Sequence, residues 1–258
     1  MLILLPPSEG KAAPARGKPL DLASVSFPSL TPAREQVIDA LVELCSGNER
    51  HAAEVLGLGA TLADLVPHDA AIRSVPTARA ELVYTGVLFE ALDALTLDAG
   101  ARRRLRRVLV TSSLLGLVRL GDRIPSYRLG GDVSLPGVGP VAGVWREHLG
   151  PVVEQEVGRG LLVDLRSSTY AAFWRPEGDV ATRTATVRVL HEHEGERKVV
   201  SHFNKATKGR IVRSVLTDGG DPRTPARFAE QLRDLGWHVE VGETGPRGTR
   251  LDVVVRSL

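Results

Sequence analysis

The residues with the clearest chemical potential stand at the start of the chain, in the sequence MLILLPPSEGK. Residues 2–5 are apolar and predict a buried strand, and the chain must then leave the sheet because proline has no N–H for the ladder. The following loop presents the hydroxyl of Ser8, the carboxylate of Glu9 and the ammonium of Lys11. A carboxylate can act as a general base and a lysine can hold a phosphate. Taken alone, the loop is more typical of a surface turn with solvated charges.

A second candidate segment is SSLLGLVRLGDRIPSYRLGGD, residues 112–132, which is too rich in glycine for one regular element. Polar side chains concentrated in such a stretch beside a strand end are typical of binding sites. Ser113 lies at its start, Arg119 and Arg128 are candidates for anion contact, and Tyr127 could stack on a base or fill the core. A long structural loop with salt bridges is the alternative interpretation.

A third candidate is SHFNKATKGRIVRSVL, residues 201–216, where the pattern predicts a strand that ends and a helix that begins at about Ala206. Three basic residues lie in or near its first turns, where the helix dipole disfavours positive charge: Lys205, Lys208 and Arg213. Cations beside free backbone N–H groups could form an anion site. The alternative is a solvated helix face.

Composition limits the function classes. The chain has 258 residues, 43% hydrophobic and 25% charged, with a net charge of +2. One cysteine excludes an internal disulfide framework and a cysteine-based zinc cluster, and Cys45 lies in an apolar helical pattern that predicts a core position. The pair His191 and His193 has no visible third ligand and is more typical of an exposed hairpin tip. We therefore expect no metal or cofactor, no membrane segment and a cytoplasmic location.

The basic residues are unevenly divided between the two types. Of 33 Lys and Arg residues, only five are lysine, at positions 11, 18, 198, 205 and 208, and the rest are arginine. A coding bias toward arginine explains this pattern. A lysine that persists in such a chain can also mark a place where a compact, titratable ammonium is needed.

Local patterns predict mixed secondary structure without a regular strand–helix alternation. Helices are predicted at 31–47, 48–57, 60–66, 87–95, 139–157, 206–217 and 224–235. Strands are predicted at 106–113 and 160–167, in a hairpin formed by 183–195 and 196–204, and in two closing strands at 238–242 and 250–257. No dinucleotide-binding glycine motif, Walker A loop or nucleophile elbow is present. This mixture predicts an α+β fold with one mixed sheet flanked by helices in a single domain, residues 1–258.

Several short segments, in order, resemble a known family. PPSEGK opens the chain, Tyr84-Thr85-Gly86 follows, and Ser113, Gly116, Leu117 and Arg119 precede Asp122 and the Tyr127-Arg128-Leu129 step. Lys205, Lys208 and Gly209 come late. This series resembles the YaaA family, also known as DUF328 or UPF0246, the peroxide stress proteins.

The resemblance implies a compact α+β fold with a positively charged cleft, a role in oxidative stress that limits iron-linked damage, and DNA binding. It also implies a helix-hairpin-helix element, which we expect in SLLGLVRLGDRI, residues 113–124.

Two functional hypotheses stay open. In the first, a cleft formed by Lys11, Tyr84, Ser113, Arg119, Tyr127, Arg128, Lys205, Lys208 and Arg213 binds DNA with weak sequence preference. In the second, the protein is an enzyme on a nucleotide or nucleobase, with Glu9, Lys11 and Ser8 as catalytic residues assisted by Lys205.

Overall fold

A mixed β-sheet with helices around it organises the chain in the computed structural model, which describes residues 1–59, 65–193, 196–198 and 201–255. Its strands are β1 (Leu2–Leu5), β2 (Ala78–Arg79), β3 (Val108–Ser112), β4 (Gly116–Arg119), β5 (Arg123–Ile124), β6 (Ser134–Leu135), β7 (Gly139–Pro140), β8 (Leu162–Asp164), β9 (Thr184–His193), β10 (Glu196–Lys198), β11 (His238–Gly245) and β12 (Gly248–Val255).

The helices connect and cover these strands. They are α1 (Thr31–Ser46), α2 (Glu49–Val55), α3 (Leu65–Ala70), α4 (Ala80–Val83), α5 (Val87–Leu92), α6 (Ala99–Arg104), α7 (Val141–Val157), α8 (Ser168–Ala171), α9 (Gly178–Thr182), α10 (Ser201–Asp218) and α11 (Pro225–Asp234). Among the described helices, none is both long and apolar enough to cross a membrane.

The main sheet has the strand order β11-β12-β9-β8-β1-β3-β4, with β10 paired to β9. The five inner strands β3, β1, β8, β9 and β12 run parallel, while β4 and β11 are antiparallel to their neighbours. All residues of β1, β3 and β8 are buried, as expected for parallel strands covered on both faces. The α+β prediction with one mixed sheet flanked by helices is confirmed.

The position of β1 matters most for function. The chain passes from β1 to β3 on one side and later crosses to β8 on the other side, since β1 pairs with both. In open sheets, a strand whose successors lie on opposite sides leaves a crevice beyond its carboxyl end, where ligands bind. The loop PPSEGK begins at this crevice.

Most predicted elements are confirmed, including α2, which Asn48 caps by accepting a hydrogen bond from the His51 N–H. Cys45 is buried, and burial raises the pKa of its thiol to about 12. Thr31 is the first residue of α1 and not its cap, because a 3-10 turn at Pro28–Leu30 runs directly into the helix. The helix predicted at 60–66 falls partly outside the described residues.

Two predictions around the late hairpin are wrong. The second hairpin strand is only Glu196–Lys198, and residues 201–204 belong to α10, which begins five residues before the expected Ala206. Helix α10 packs against α5, and this tertiary contact is not visible in the local sequence pattern. His191 is buried and its ring lies 5.5 Å from that of Phe203, so it is not at an exposed tip. The predicted turn residues Glu194 and Gly195 are outside the described residues.

Helix α10 approaches α5 closely because residue 209 is glycine. A Cβ at this position would meet the Leu88 carbonyl oxygen and lie 2.9 Å from Ala91 Cβ. The Leu88 contact is with backbone, which cannot move aside as a flexible side chain would. This close approach places the first turns of α10 over the site described below.

We predict that Gly209→Ala destabilises the protein by about 1–3 kcal/mol, because the clash with α5 outweighs the higher helix propensity of alanine. Gly143→Ala in α7 is the matched control, since nothing lies within 4 Å of its ideal Cβ, and this change should stabilise by up to about 1 kcal/mol. Chemical denaturation of both variants provides the measurement. Equal effects of the two substitutions would contradict the proposed close packing.

Candidate functional site

The loop after β1 is held in place by contacts with two other segments, residues 83–85 and Arg128. The Ala12 N–H donates to the Val83 carbonyl at 2.9 Å, and the Thr85 N–H donates to the Gly10 carbonyl at 3.3 Å. Arg128 donates from its guanidinium to the Glu9 carbonyl at 2.7 Å. The loop is therefore not a freely solvated turn.

Ser8 lies on the inner side of this loop and is buried. Gly86, in the predicted Tyr84-Thr85-Gly86 element, has a φ of 107° and allows the approach, since a Cβ there would lie 2.8 Å from Ser8 Oγ. The sequence element and the loop therefore meet in space, as their shared resemblance to one family implied.

The Lys11 side chain is half-buried at the wall of the site. Its Nζ donates to the Ser8 carbonyl at 2.7 Å and sits 4.3 Å from the centroid of the Tyr127 ring and 6.0 Å from that of Tyr84. Burial, assisted by the positive charge of Arg128, lowers the pKa of Lys11 to about 7. Near neutral pH, a substantial fraction of this amine is therefore uncharged.

A buried carboxylate, Asp69 of α3, lies close enough to interact electrostatically with Lys11. Its two oxygens accept the Arg128 N–H at 3.2 and 3.1 Å. Burial raises the pKa of Asp69 to about 6, against the opposing effects of that hydrogen bond and of nearby cations. The site thus holds an acid and an amine that both titrate near neutral pH, a combination enriched at functional sites.

Two tyrosines form the inner wall behind Lys11. The hydroxyls of Tyr84 and Tyr127 are hydrogen-bonded at 3.1 Å, and the Tyr127 hydroxyl is also hydrogen-bonded to Ser112 Oγ at 2.8 Å. Burial raises the pKa of both phenols above the usual value. Both rings are almost fully buried, and Tyr84 stacks on Phe89 with 5.2 Å between centroids.

A cavity of about 180 Å³ opens beside these groups. It is lined by Glu9, Gly10, Lys11, Leu65, His68, Asp69, Ser126, Tyr127 and Arg128. The His68 Nε2 is hydrogen-bonded to the Ser126 carbonyl at 2.9 Å, which joins α3 to the segment that carries Tyr127. We call this cavity the Lys11 pocket.

Helix α10 contributes two lysines near the same loop. Lys205 donates to Glu9 Oε1 at 3.2 Å, and both side chains are largely exposed. Lys208 donates to the Leu165 carbonyl at 2.8 Å, directly after β8, and burial lowers its pKa. Lys205 is therefore at the surface beside the Lys11 pocket, whereas Lys208 joins α10 to the sheet.

Below Lys208, Asp164 and Arg166 form a buried ion pair that fixes the turn after β8. The Arg166 guanidinium donates to both Asp164 oxygens at 2.9 and 2.7 Å and to the Trp174 carbonyl at 2.9 Å. Burial alone would oppose ionisation of Asp164, but the guanidinium lowers its pKa. This turn leads to Tyr170, whose pKa burial raises.

Of the predicted site residues, Ser8, Glu9, Lys11, Tyr84, Tyr127, Arg128 and Lys205 come together around the loop after β1. Ser113 lies behind this group, where its hydroxyl donates to the Leu129 carbonyl at 2.5 Å. Two arginines lie elsewhere. Arg119 donates to Glu156 at 2.6 Å and pairs with Leu109 toward the start of β3, and Arg213 donates to the Asp93 carbonyl at 2.7 Å.

The helix-hairpin-helix prediction for residues 113–124 is wrong. This segment forms β4 and β5 with a turn between them, and β4 pairs with β3. Gly116–Arg119 complete the sheet ladder beside β3, and the first three of these residues are buried, so the glycines mark strand ends and not a helical hairpin.

Sequence reasoning missed Asp69 and His68. Both lie on the short helix α3 beside residues that were read only as an apolar helix, and no motif marks them. Burial of the Asp69 carboxyl distinguishes it from other acidic residues, and this burial depends on tertiary contacts that the sequence pattern does not show. Among the described residues, no group of three or more His, Cys, Asp or Glu side chains is placed to hold a metal ion.

Comparison with known proteins identifies a family that the chain matches. The family model described as "Peroxide stress protein YaaA" matches residues 1–239. The chain belongs to this family. The match includes every residue of the Lys11 pocket.

Relatives of this family cover the full chain. A UPF0246 protein of Streptomyces coelicolor is 53% identical over 262 residues, covering 100% of both chains. A UPF0246 protein of Corynebacterium efficiens is 40% identical over 245 residues, covering 94% of this chain and 96% of the relative. A UPF0246 protein of Corynebacterium glutamicum is 38% identical over 242 residues, covering 93% and 95%.

We predict that Lys11→Met changes the pH dependence of stability. With a pKa of about 7 in the fold against 10.5 for the free side chain, wild-type Lys11 binds fewer protons folded than unfolded between these values. Wild-type stability must therefore rise relative to Lys11→Met as pH increases through this window. We expect a relative change of roughly 2–3 kcal/mol between about pH 7 and about pH 9.5.

Denaturation at several pH values measures this change, and the trend with pH is the test, since the lost Ser8 hydrogen bond adds a constant offset. Lys18→Met, at an exposed lysine, is the matched control and should show a flat difference. A flat difference for Lys11→Met as well would contradict the placement of a desolvated amine at this position.

Proposed function

We propose that this protein binds DNA at the Lys11 pocket, with Arg128 and Lys205 contacting backbone phosphates and the pocket accepting one unstacked nucleotide unit. The observation that carries the proposal is the combination of a small cavity at the carboxyl end of β1 with cationic side chains beside it. At about 180 Å³ the cavity is smaller than the roughly 300–1,000 Å³ typical of sites for larger ligands, which favours a single sugar or base.

The side chains at the Lys11 pocket would have different roles in DNA binding. Arg128 and Lys205 form their present polar contacts with Glu9, through its carbonyl and its carboxylate respectively. A phosphate can displace the exposed Lys205–Glu9 pair at little cost, because surface ion pairs contribute about 0–1 kcal/mol. The buried rings of Tyr84 and Tyr127 shape the wall of the pocket, and phosphate contacts supply affinity without sequence preference.

The physiological part of the proposal follows the family description, which names a response to peroxide stress. Binding to DNA would limit iron-linked oxidative damage at the place where it occurs. A role on chromosomal DNA implies a cytoplasmic location in bacteria such as those that carry the relatives.

The test is a fluorescence-anisotropy titration of labelled single- and double-stranded DNA over a salt series. We expect affinity to fall as salt increases, because phosphate binding releases counterions. The Arg128→Ala/Lys205→Ala variant should bind at least about tenfold more weakly at low salt, and its salt slope should be smaller by about two.

The matched control is Arg223→Ala/Arg227→Ala, which removes the same charge. Arg227 lies on α11 with its side chain 74% exposed, and Arg223 is 65% exposed just before this helix. The control should retain wild-type affinity. Equal losses in both double variants would show that binding follows net charge and not the pocket, and absence of binding at low salt would overturn the proposal.

A second candidate function is an enzyme that performs acid–base chemistry on a nucleotide or nucleobase. It is favoured by one observation, the pKa values of about 7 for Lys11 and about 6 for Asp69 at a single cavity. A general acid or base works best when its pKa is near the working pH. Asp69, which is buried, is better placed for this role than the exposed Glu9.

Incubation with a panel of nucleosides, nucleotides and free bases, followed by chromatography, tests this candidate. Turnover should depend on pH between about 6 and 7 and should be lost in Asp69→Asn, while Glu9→Gln has a smaller effect. Thermal melts of both variants verify that they fold. Turnover that persists in Asp69→Asn would exclude the proposed acid.

A further inference from the structure

The Lys11 amine has features that a phosphate contact does not require. A group that only neutralises phosphate needs to keep its positive charge, and an exposed position such as that of Lys205 does not oppose that charge. Lys11 is instead half-buried at the wall of a cavity, where desolvation opposes its charge. Desolvated lysines of this kind serve as nucleophiles toward carbonyl groups.

The contacts of Nζ are compatible with an uncharged, reactive amine. Its hydrogen bond goes to the Ser8 carbonyl, which accepts from a neutral amine as well as from an ammonium. Within the described part of the chain, no carboxylate forms an ion pair with Lys11 that would fix its proton. Loss of a proton therefore keeps the hydrogen bond and frees a lone pair.

The same pocket supplies an acid. Asp69 lines the cavity with Lys11 and is partly protonated near neutral pH, since burial raises its pKa to about 6. Condensation of an amine with an aldehyde needs such an acid, because the aldehyde oxygen must leave as water. The cavity therefore supplies both the amine that attacks the aldehyde and the acid that allows water to leave.

The position of Lys11 at a proposed DNA-binding site limits the kinds of electrophile that could reach its amine. An intact nucleotide offers no carbon that an amine attacks readily, whereas a sugar that has lost its base opens to an aldehyde at C1′. Such a sugar is smaller than a nucleotide, and its flanking phosphates would lie near Arg128 and Lys205. Oxidative damage to DNA is a source of such sites.

We propose that Lys11 is a nucleophile that captures the aldehyde of an abasic site in DNA as an imine. This inference rests on the proposed function in DNA binding. It goes beyond that function because it assigns Lys11 a covalent role and names the damaged sugar as substrate.

The step balances as a condensation. The Nζ lone pair attacks C1′, the carbonyl electron pair moves to oxygen, and proton transfer from nitrogen to oxygen gives a neutral carbinolamine. Asp69 then protonates the hydroxyl, the C–O bond breaks and water leaves, and the nitrogen lone pair forms the C=N bond. The iminium returns its proton to Asp69, so that amine and aldehyde become imine and water without an oxidant or reductant.

The test is reductive trapping of the full-length protein with a duplex that contains a single abasic site. Sodium borohydride reduces an imine to a stable amine, so an adduct appears on a denaturing gel and peptide mapping locates it. We expect an adduct on Lys11 whose yield is highest between about pH 6 and about pH 7, where Lys11 is partly uncharged and Asp69 is partly protonated. Lys11→Arg, which keeps the charge, should reduce the yield by roughly tenfold or more, while Lys18→Arg, at an exposed lysine outside the pocket, should not.

Fluorescence anisotropy on the same duplex distinguishes failure of imine formation at Lys11 from failure of the proposed DNA binding. Binding without an adduct, or an adduct that maps to Lys205 or the chain amino terminus, would overturn this inference and leave the proposed function intact. Absence of DNA binding together with a Lys11 adduct to the small aldehyde glyoxylate would overturn the proposed function and the abasic-site assignment. Mapping in the wild type keeps the test decisive even if Lys11→Arg fails to fold.

Discussion

The site depends on one topological constraint, the position of β1 between β3 and β8. Since both neighbours run parallel to β1, three strands deliver their carboxyl ends to the same edge of the sheet. Ser8 and Lys11 follow β1, Ser112 ends β3, and Leu165 follows β8. A different order of the same strands would separate these groups, so the crevice follows from chain topology before any side chain is considered.

Secondary contacts convert this crevice into a rigid pocket. Arg128 joins two of its walls, since its guanidinium binds the Glu9 carbonyl while its N–H binds the Asp69 carboxylate. Lys208 joins α10 to the turn after β8. Desolvation in the pocket disfavours the charged form of both the Lys11 amine and the Asp69 carboxyl and shifts both pKa values toward neutrality, and the attraction between the two groups only partly opposes this shift.

The sequence predicts the features that depend on residues close together along the chain. The strand 2–5, the loop with Ser8, Glu9 and Lys11, and the mixed α+β class follow from apolar runs, prolines and turn residues. The partners of long side chains do not follow, because they depend on which elements pack together. Arg119 and Arg213 appear equivalent to Arg128 in sequence but bind Glu156 and the end of α5. Asp69 was missed for the same reason, since a lone acid in a short helix carries no local signal of burial.

Arg34 is a buried cation with a structural role. Its guanidinium donates to the Leu115, Ser26 and Leu117 carbonyls at 3.0, 2.7 and 2.9 Å, and burial lowers its pKa only to about 10. Its fixed fork of donors serves that purpose and retains its proton at neutral pH. Lys208 shows that a buried lysine can also be structural when its ammonium donates to carbonyls beside Asp164. Lys11 differs from both because it faces a cavity and titrates near pH 7. In a chain that otherwise favours arginine, lysine at this position is best explained by the need for an amine that can lose its proton.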